Sequence, residues 1–482
     1  MNKTFKNIFY VFLQQFVNTI LPFLTIPYIA RVLGVEQNGV YSYSLTIVNL
    51  FAVFFALGFA VYGTNEIAQS TGEKRNIKYI EIQVLRMSCL IVGLVLFLCF
   101  LNMYKIPYDI TVFSLQSLVI LSSIFDNSWY YQGTGNFKKI VTRNIVVKIV
   151  GTLSIFLFVK HPEDLDIYII LISGSQLLGN VILFVETIHL FKYLKLIKFK
   201  NLWRHLKVSL VLFLPNISVF IYSSFDKLLL GHIGDIEGLS NYQQVQRIIT
   251  FAYAFLIIPS PVLIQKVAFL RSKIKHKEAD SIISKGLNFY SIVGLLVIFL
   301  ILLSSKEFIT LFLGDEYNQA VKLFILVSPV LLFKCIGTVI GLWYLVPLGK
   351  NKLHSFPLVI GTVFSVMINS LITPYFGVVS AAVIFTLTEL IVIFIQLIYS
   401  RNLFIFIELK TLLLFFTIFL ISFMIVKIIF LRGYGIDGIL LIGFLKVSLF
   451  LIFSITTSLC IQTTRCFIKD INGLLKKVPH RP

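Results

Sequence analysis

The chain has 482 residues, of which 57% are hydrophobic and 13% charged, and its mean hydropathy is +0.91. A soluble domain carries about 25% charged residues, so this composition excludes an ordinary globular enzyme and indicates a polytopic membrane protein. The net charge of +20 would point to nucleic acid in a soluble chain; here lysines clustered between apolar runs set membrane topology, and no nucleic-acid partner is expected.

Lys3 and Lys6 precede an apolar run from Ile8 to Ala30. The run is too long for the core of a secretory signal and contains Pro22 and Pro27, so it reads as an uncleaved first span. Runs of the length needed to cross a bilayer then recur near 42–62, 84–104, 111–131, 142–159, 167–190, 208–230, 246–265, 287–304, 321–346, 355–373, 378–399, 411–431 and 438–462, giving about 14 spans with the first. Of the 42 Lys and Arg residues, only Arg31, Lys105, Lys160, Lys306 and Arg432 fall in the alternate, outer turns. Both termini are therefore expected in the cytoplasm. The outer turns are short, and several are acidic: Glu163-Asp164-Leu165-Asp166, Asp235 with Glu237, and Gly314-Asp315-Glu316. None is large enough to carry the site of an externally acting polymerase or transferase. Cys89, Cys99, Cys335, Cys460 and Cys466 show no Cys-x-x-Cys spacing and are expected to be free thiols without a metal role.

An internal repeat divides the chain. Leu33-Gly34 before Asn38-Gly39-Val40-Tyr41-Ser42-Tyr43 corresponds to Ile233-Gly234 before Glu237-Gly238-Leu239-Ser240-Asn241-Tyr242. Each half holds an even number of spans, so the halves share one orientation, a parallel repeat of the kind found in alternating-access transporters. The expected fold is an all-α integral membrane protein: two six-helix lobes, 1–200 and 201–402, in pseudo-twofold parallel repeat, and a C-terminal helix pair with a basic tail, 403–482.

Charges and amides at membrane depth mark pathways, partners or bound ions. The first span carries Gln14, Asn18 and Thr25 on one helical face, with Arg31 at its outer end. The seventh offers Asn216, Ser223, Ser224 and the ionic pair Asp226-Lys227; the eighth brings Gln243, Gln244 and Arg247. Paired polar first helices fit a water-filled cleft; hydrogen bonding between helices is the other use of such residues. Lys148, about a turn and a half into span 5, either reaches a cleft or snorkels to the headgroups. Arg86, Lys322, Lys427 and Lys446, near span ends or in the terminal hairpin, are expected to snorkel, whereas Lys334 and Glu389 lie deeper. Glu66 ends span 2 as a gate, a helix cap or a solvated end. Gly133-Thr134-Gly135 reads as a turn and not a phosphate loop, since no Gly-Lys-Ser/Thr follows.

Five stretches in order along nearly the whole chain resemble those of the polysaccharide repeat-unit flippases (Wzx-type), of the superfamily that also contains MATE-type multidrug exporters. They are Arg31-Val-Leu-Gly34-Val-Glu-Gln-Asn-Gly39-Val-Tyr41, Trp129-Tyr-Tyr-Gln132-Gly133-Thr-Gly-Asn-Phe137-Lys138, Phe225-Asp226-Lys227-Leu-Leu-Leu-Gly231, Leu313-Gly314-Asp315-Glu316-Tyr317, and Pro347-Leu-Gly349-Lys350 with Pro374-Tyr-Phe-Gly377-Val-Val-Ser-Ala-Ala382. Asn65 departs from the arginine that relatives often carry before the glutamate ending span 2. The resemblance implies a non-enzymatic flippase in the bacterial cytoplasmic membrane. Its substrate would be an oligosaccharide on polyprenyl (undecaprenyl) diphosphate, destined for capsule, O-antigen or another surface polymer. On that reading Arg31, Lys227 and Arg247 hold the diphosphate and Lys148 is an inner contact. Gln14, Asn18, Asn216 and Gln244 face the sugars, and Asp226 holds Lys227. Partners are membrane lipids and the polymerase and glycosyltransferases of the same pathway. No cofactor or metal is expected, and coupling to H+ or Na+ stays open. The competing readings are a MATE-like cation or drug antiporter and a membrane glycosyltransferase or polymerase.

Overall fold

The computed structural model describes residues 3–104, 108–401, 408–431 and 439–459, with side chains placed for residue 17 and for 20–104, 108–213, 217–401, 408–430 and 441–454. Every regular element among them is a helix, which follows from chemistry: in hydrocarbon, backbone amides and carbonyls must be satisfied within their own segment or in a closed barrel. The chain begins with α1 (Lys3–Ala56), α2 (Phe59–Ala68), α3 (Gly72–Met103), the short α4 (Ile110–Gln116), α5 (Leu118–Phe125) and α6 (Ser128–Gly133). Then come α7 (Phe137–Phe158), α8 (Leu165–Val185), a 3-10 segment at Ile188–Leu196, α9 (Phe199–His232), α10 (Ile236–Leu256) and α11 (Ser260–Ser272). The remainder is α12 (His276–Leu313), α13 (Asn318–Val327), α14 (Pro329–Thr338) continuing as a π-helix over Val339–Leu345, α15 (Asn351–Tyr399), α16 (Leu409–Leu431) and α17 (Ile439–Leu459).

By length and hydropathy eight described helices can cross a membrane, or eleven when each of three bent pairs is one span. Of the three spans by which eleven falls short of the expected fourteen, one is the C-terminal helix, of which Leu441–Ser454 is too short to count, and the other two have a physical source. α1 and α15 each cover two expected spans, interrupted at Gly34 (φ 70°, ψ −179°) and Gly377 (φ 59°, ψ −148°). Glycine reaches these dihedrals at little cost, so one span leads into the next through a single-residue kink in place of a loop.

The chain packs as two compact units, residues 1–261 with 351–392 and residues 262–350 with 393–482. Within the first, the repeat-related segments of α1 and α10 lie against each other. A Cβ on Gly39 would come 2.3 Å from the Ile236 carbonyl oxygen, and one on Gly231 would meet the Tyr43 ring at 2.1 Å. Gly39 of the repeat and Gly231 of α9 are thus close-approach positions, as small residues are between membrane helices. Gly34 and Gly234 share a positive φ, 70° and 84°.

A second repeat, unread in the sequence, emerges from the packing. Trp129-Tyr130 is followed at the sixth position by Gly135, and Trp343-Tyr344 by Gly349; those glycines have φ 70° and 71°. Both tryptophans are 1% exposed. Trp129 lies over Gly63 and beside Tyr79 (ring centroids 5.4 Å), and Trp343 over Gly286 and beside Tyr290 (5.8 Å). In the second unit Phe299 and Leu303 of α12 form a core with Phe415, Phe419 and Val426 of α16 and Phe450 of α17. Lys446, expected to snorkel, instead pairs with Glu307 at 2.6 Å.

Candidate functional site: a cationic cavity

A cavity of about 1030 Å³ opens within the first unit, walled by α1 and α5 to α10. The local sequence places its polar side chains by helical periodicity. On α7, Asn144, Lys148, Gly151, Thr152 and Ile155 line the cavity, while Val146, Ile149, Val150, Leu153 and Leu157 are exposed on the outer side. On α8, Tyr168, Ser175, Gln176 and Asn180 face inward, and Ile170, Leu178, Ile182 and Val185 are exposed. α10 contributes Gln243, Gln246, Arg247, Thr250 and Phe251. Spacings of three and four put each set on one face. These helices are polar inward and apolar outward, the arrangement of a wet interior within lipid.

Among the described residues four cationic side chains line the cavity, Arg143, Lys148, Lys227 and Arg247, against one carboxylate, Asp126. Asp126 is engaged from behind by Arg86: Nη2 lies 3.4 Å from Oδ2, Nη1 donates to the Asp126 carbonyl, and the Ser128 amide donates to Oδ1 at 3.0 Å. Arg86 is 3% exposed; the sequence reading had it snorkelling, but its partner is supplied by tertiary packing forty residues away. Arg143 donates from Nη1 to Asn180 Oδ1 at 2.8 Å. The Arg247 guanidinium stands 5.7 Å over the Tyr41 ring, itself 5.0 Å from Tyr168, so a desolvated cation is stabilised by aromatic faces. The Gln243 Oε1 atom is buried without a protein hydrogen-bond partner.

Of the residues singled out in the sequence, Lys148, Lys227 and Arg247 come together in this cavity. Gln244 does not. It is 1% exposed and donates to Asn38 Oδ1 at 3.4 Å, while its neighbours Gln243 and Gln246 line the cavity. One residue along a helix is a rotation of about 100°, enough to exchange the wall for the interior. Asp226 is buried outside the cavity wall, accepting from the Tyr242 hydroxyl and from the Lys227 backbone amide at 2.8 Å; it fixes the helix at Lys227 through main chain. Arg31 is exposed and is not among the lining residues. The side chains of Gln14, Asn18 and Asn216 lie outside the described residues. Glu66 pairs with Lys78 at 2.6 Å, which makes it a tie between α2 and α3. Arg143, Tyr168 and the α8 amides were missed, although the polar stripe on α7 was visible as spacing.

The model of the family described as "Polysaccharide biosynthesis protein" matches residues 4–265. A putative O-antigen transporter of Shigella dysenteriae is 25% identical over 407 residues, covering 81% of this chain and 98% of that protein. A probable low-salt glycan biosynthesis flippase, Agl15, of Haloferax volcanii is 23% identical, covering 75% and 76%. Among solved structures, the lipid II flippase MurJ in an inward closed conformation superimposes with a TM-score of 0.70 at 17% identity, over 93% of this chain and 98% of that one. That likeness establishes the fold.

Proposed function

Because the chain belongs to the polysaccharide biosynthesis protein family, which its residues 4–265 match, we propose that it is a flippase. It moves an oligosaccharide on polyprenyl diphosphate from the inner to the outer leaflet of the cytoplasmic membrane. Relatives named as an O-antigen transporter and a glycan flippase support this substrate class. The single observation that carries the reading is the cavity with four cations and one carboxylate.

An isolated anion in hydrocarbon faces a cost of tens of kcal/mol (roughly, by Born solvation), so a diphosphate does not cross unaided. Arg247 and Arg143 offer planar forks that match phosphate oxygens, and Lys148 and Lys227 add point charges. Together they replace the water that the head group sheds, while Gln132, Asn144, Ser175 and Gln176 offer hydrogen bonds to sugar hydroxyls. The polyprenyl tail stays in lipid. Outward movement of two negative charges is favoured by an inside-negative potential by about 4.6 kcal/mol per 100 mV; a co-moving H+ or Na+ would lower that. The lobes drawn at 1–200 and 201–402 remain the proposed moving parts, with both termini cytoplasmic. The chain performs no chemistry on the sugar. It passes its cargo to the polymerase of the same pathway after glycosyltransferases have built it.

The test is reconstitution in vesicles with a fluorescent polyprenyl-diphosphate oligosaccharide, scored by its exposure to an added membrane-impermeant glycosidase. Transfer dependent on the protein supports the reading. Export of cationic drugs with no transfer of the glycolipid would replace it with a MATE-like antiporter, and sugar transfer between glycolipids would replace it with a glycosyltransferase.

A further inference from the structure

We infer that the head group carried in this cavity bears negative charge beyond its diphosphate, so that its sugars include an acidic residue, a uronic acid or an equivalent carboxylate, seated at Arg143. This deepens the flippase reading and rests on it. Among the described residues Asp126 is the one carboxylate on the cavity wall, and Arg86 already faces it. Asp226, buried next to Lys227 in sequence, offsets one positive charge in the balance. Arg143, Lys148 and Arg247 remain. The ion pairs found involve other residues, and no Asp or Glu occurs before Glu36 to supply a counter-charge from the N-terminal segment. A diphosphate substituted at both ends has one ionisable oxygen on each phosphorus, hence two negative charges against at least three positive. A cation left over once the head group has displaced the water of the cavity is costly. A carboxylate travelling with the sugar removes that cost.

Arg143 is the cation held for such a group. Asn180 is 5% exposed, donates from Nδ2 to Ser122 Oγ at 2.8 Å and to the Ser122 carbonyl at 2.9 Å, and turns Oδ1 to Arg143 Nη1. Every bond of this buried amide aims one guanidinium, and Arg143 Nε has no protein partner. With Nη1 so fixed, the guanidinium is held on the cavity wall and offers its charge to a carboxylate there. Arg247, stacked on Tyr41, and Lys148 are left for the diphosphate.

Two synthetic polyprenyl-diphosphate tetrasaccharides, identical except that one glucose is replaced by glucuronic acid, separate the possibilities in the vesicle assay. The wild-type protein is expected to transfer the acidic glycan about tenfold faster or more. Arg143→Gln should bring the ratio toward one, and Arg143→Lys should retain most of it; the lysine variant decides the matter should the glutamine variant fail to fold. Equal transfer of both glycans by the wild-type protein overturns the acidic residue and leaves the flippase standing. Transfer of neither overturns both.

Discussion

The two Tyr–Trp frames make the most instructive pair of regions in this molecule. Each sets a buried tryptophan over a glycine, beside a tyrosine, with a positive-φ glycine six residues on. Yet their surroundings are opposite in chemistry. Four and seven residues after Tyr79 come Gln83, which accepts from Trp129 Nε1 at 3.3 Å, and Arg86, which engages Asp126. Four and seven residues after Tyr290 come Gly294 and Val297. Three residues before Trp129 is Asp126; three before Trp343 is Ile340. Where one frame builds a polar ladder leading to the cationic cavity, the corresponding positions of the other pack apolar atoms, with a Cβ on Gly294 only 2.7 Å from Leu332 Cδ1. Shared scaffold and unshared charge separate what holds the fold from what serves the cargo.

The comparison can be broken most severely at Arg86. Arg86→Val, the residue of the second frame, strands the Asp126 carboxylate and should cost about 3–5 kcal/mol. Thermal unfolding of the purified protein in detergent measures it, and an unchanged midpoint would mean the pair holds nothing. Trp129→Ala and Trp343→Ala come next, each expected to cost about 3 kcal/mol by emptying a buried ring. Losses equal to within the bond that Trp129 makes to Gln83, about 1 kcal/mol, confirm that the frames are equivalent in packing; a larger inequality removes the parallel. Lys148→Gln and Arg247→Gln should then lower transfer of the glycolipid about tenfold or more, the scale of losing one partner of a desolvated charge pair, with little change in melting. Gln244→Ala is the control, with transfer unchanged, because its amide faces Asn38. Smallest are Gly135→Ala and Gly349→Ala, each about 1 kcal/mol for a side chain forced to positive φ, and alike in the two frames.

Much of this was legible in the sequence for a physical reason: a hydrocarbon solvent imposes one length and one polarity on every span, so apolar runs reveal helices. Charges at depth are expensive, so Lys148, Lys227 and Arg247 could be singled out without knowing their neighbours. What stayed hidden depends on rotation and on distant partners. Gln243 and Gln244 differ by one step around a helix, and a list of polar residues does not say which faces inward. Arg86 and Arg143 lie close to expected span ends, where long side chains usually reach headgroups; Asp126 and Asn180 make them interior. The kinks at Gly34 and Gly377 fused expected spans because a single glycine needs no loop composition. The Trp-Tyr-x4-Gly repeat was too sparse to notice until both glycines showed the same φ.

The central claim is that the cavity cations carry an anionic glycolipid head group across the bilayer. Its most direct test is the rate at which polyprenyl-diphosphate oligosaccharide reaches the opposite leaflet in vesicles holding the wild-type protein or the double variant Lys148→Gln, Arg247→Gln. The account predicts rapid transfer by the wild-type protein and, in a folded double variant, a loss at least as large as the roughly tenfold loss of either single variant. Transfer at the wild-type rate by that variant would contradict it.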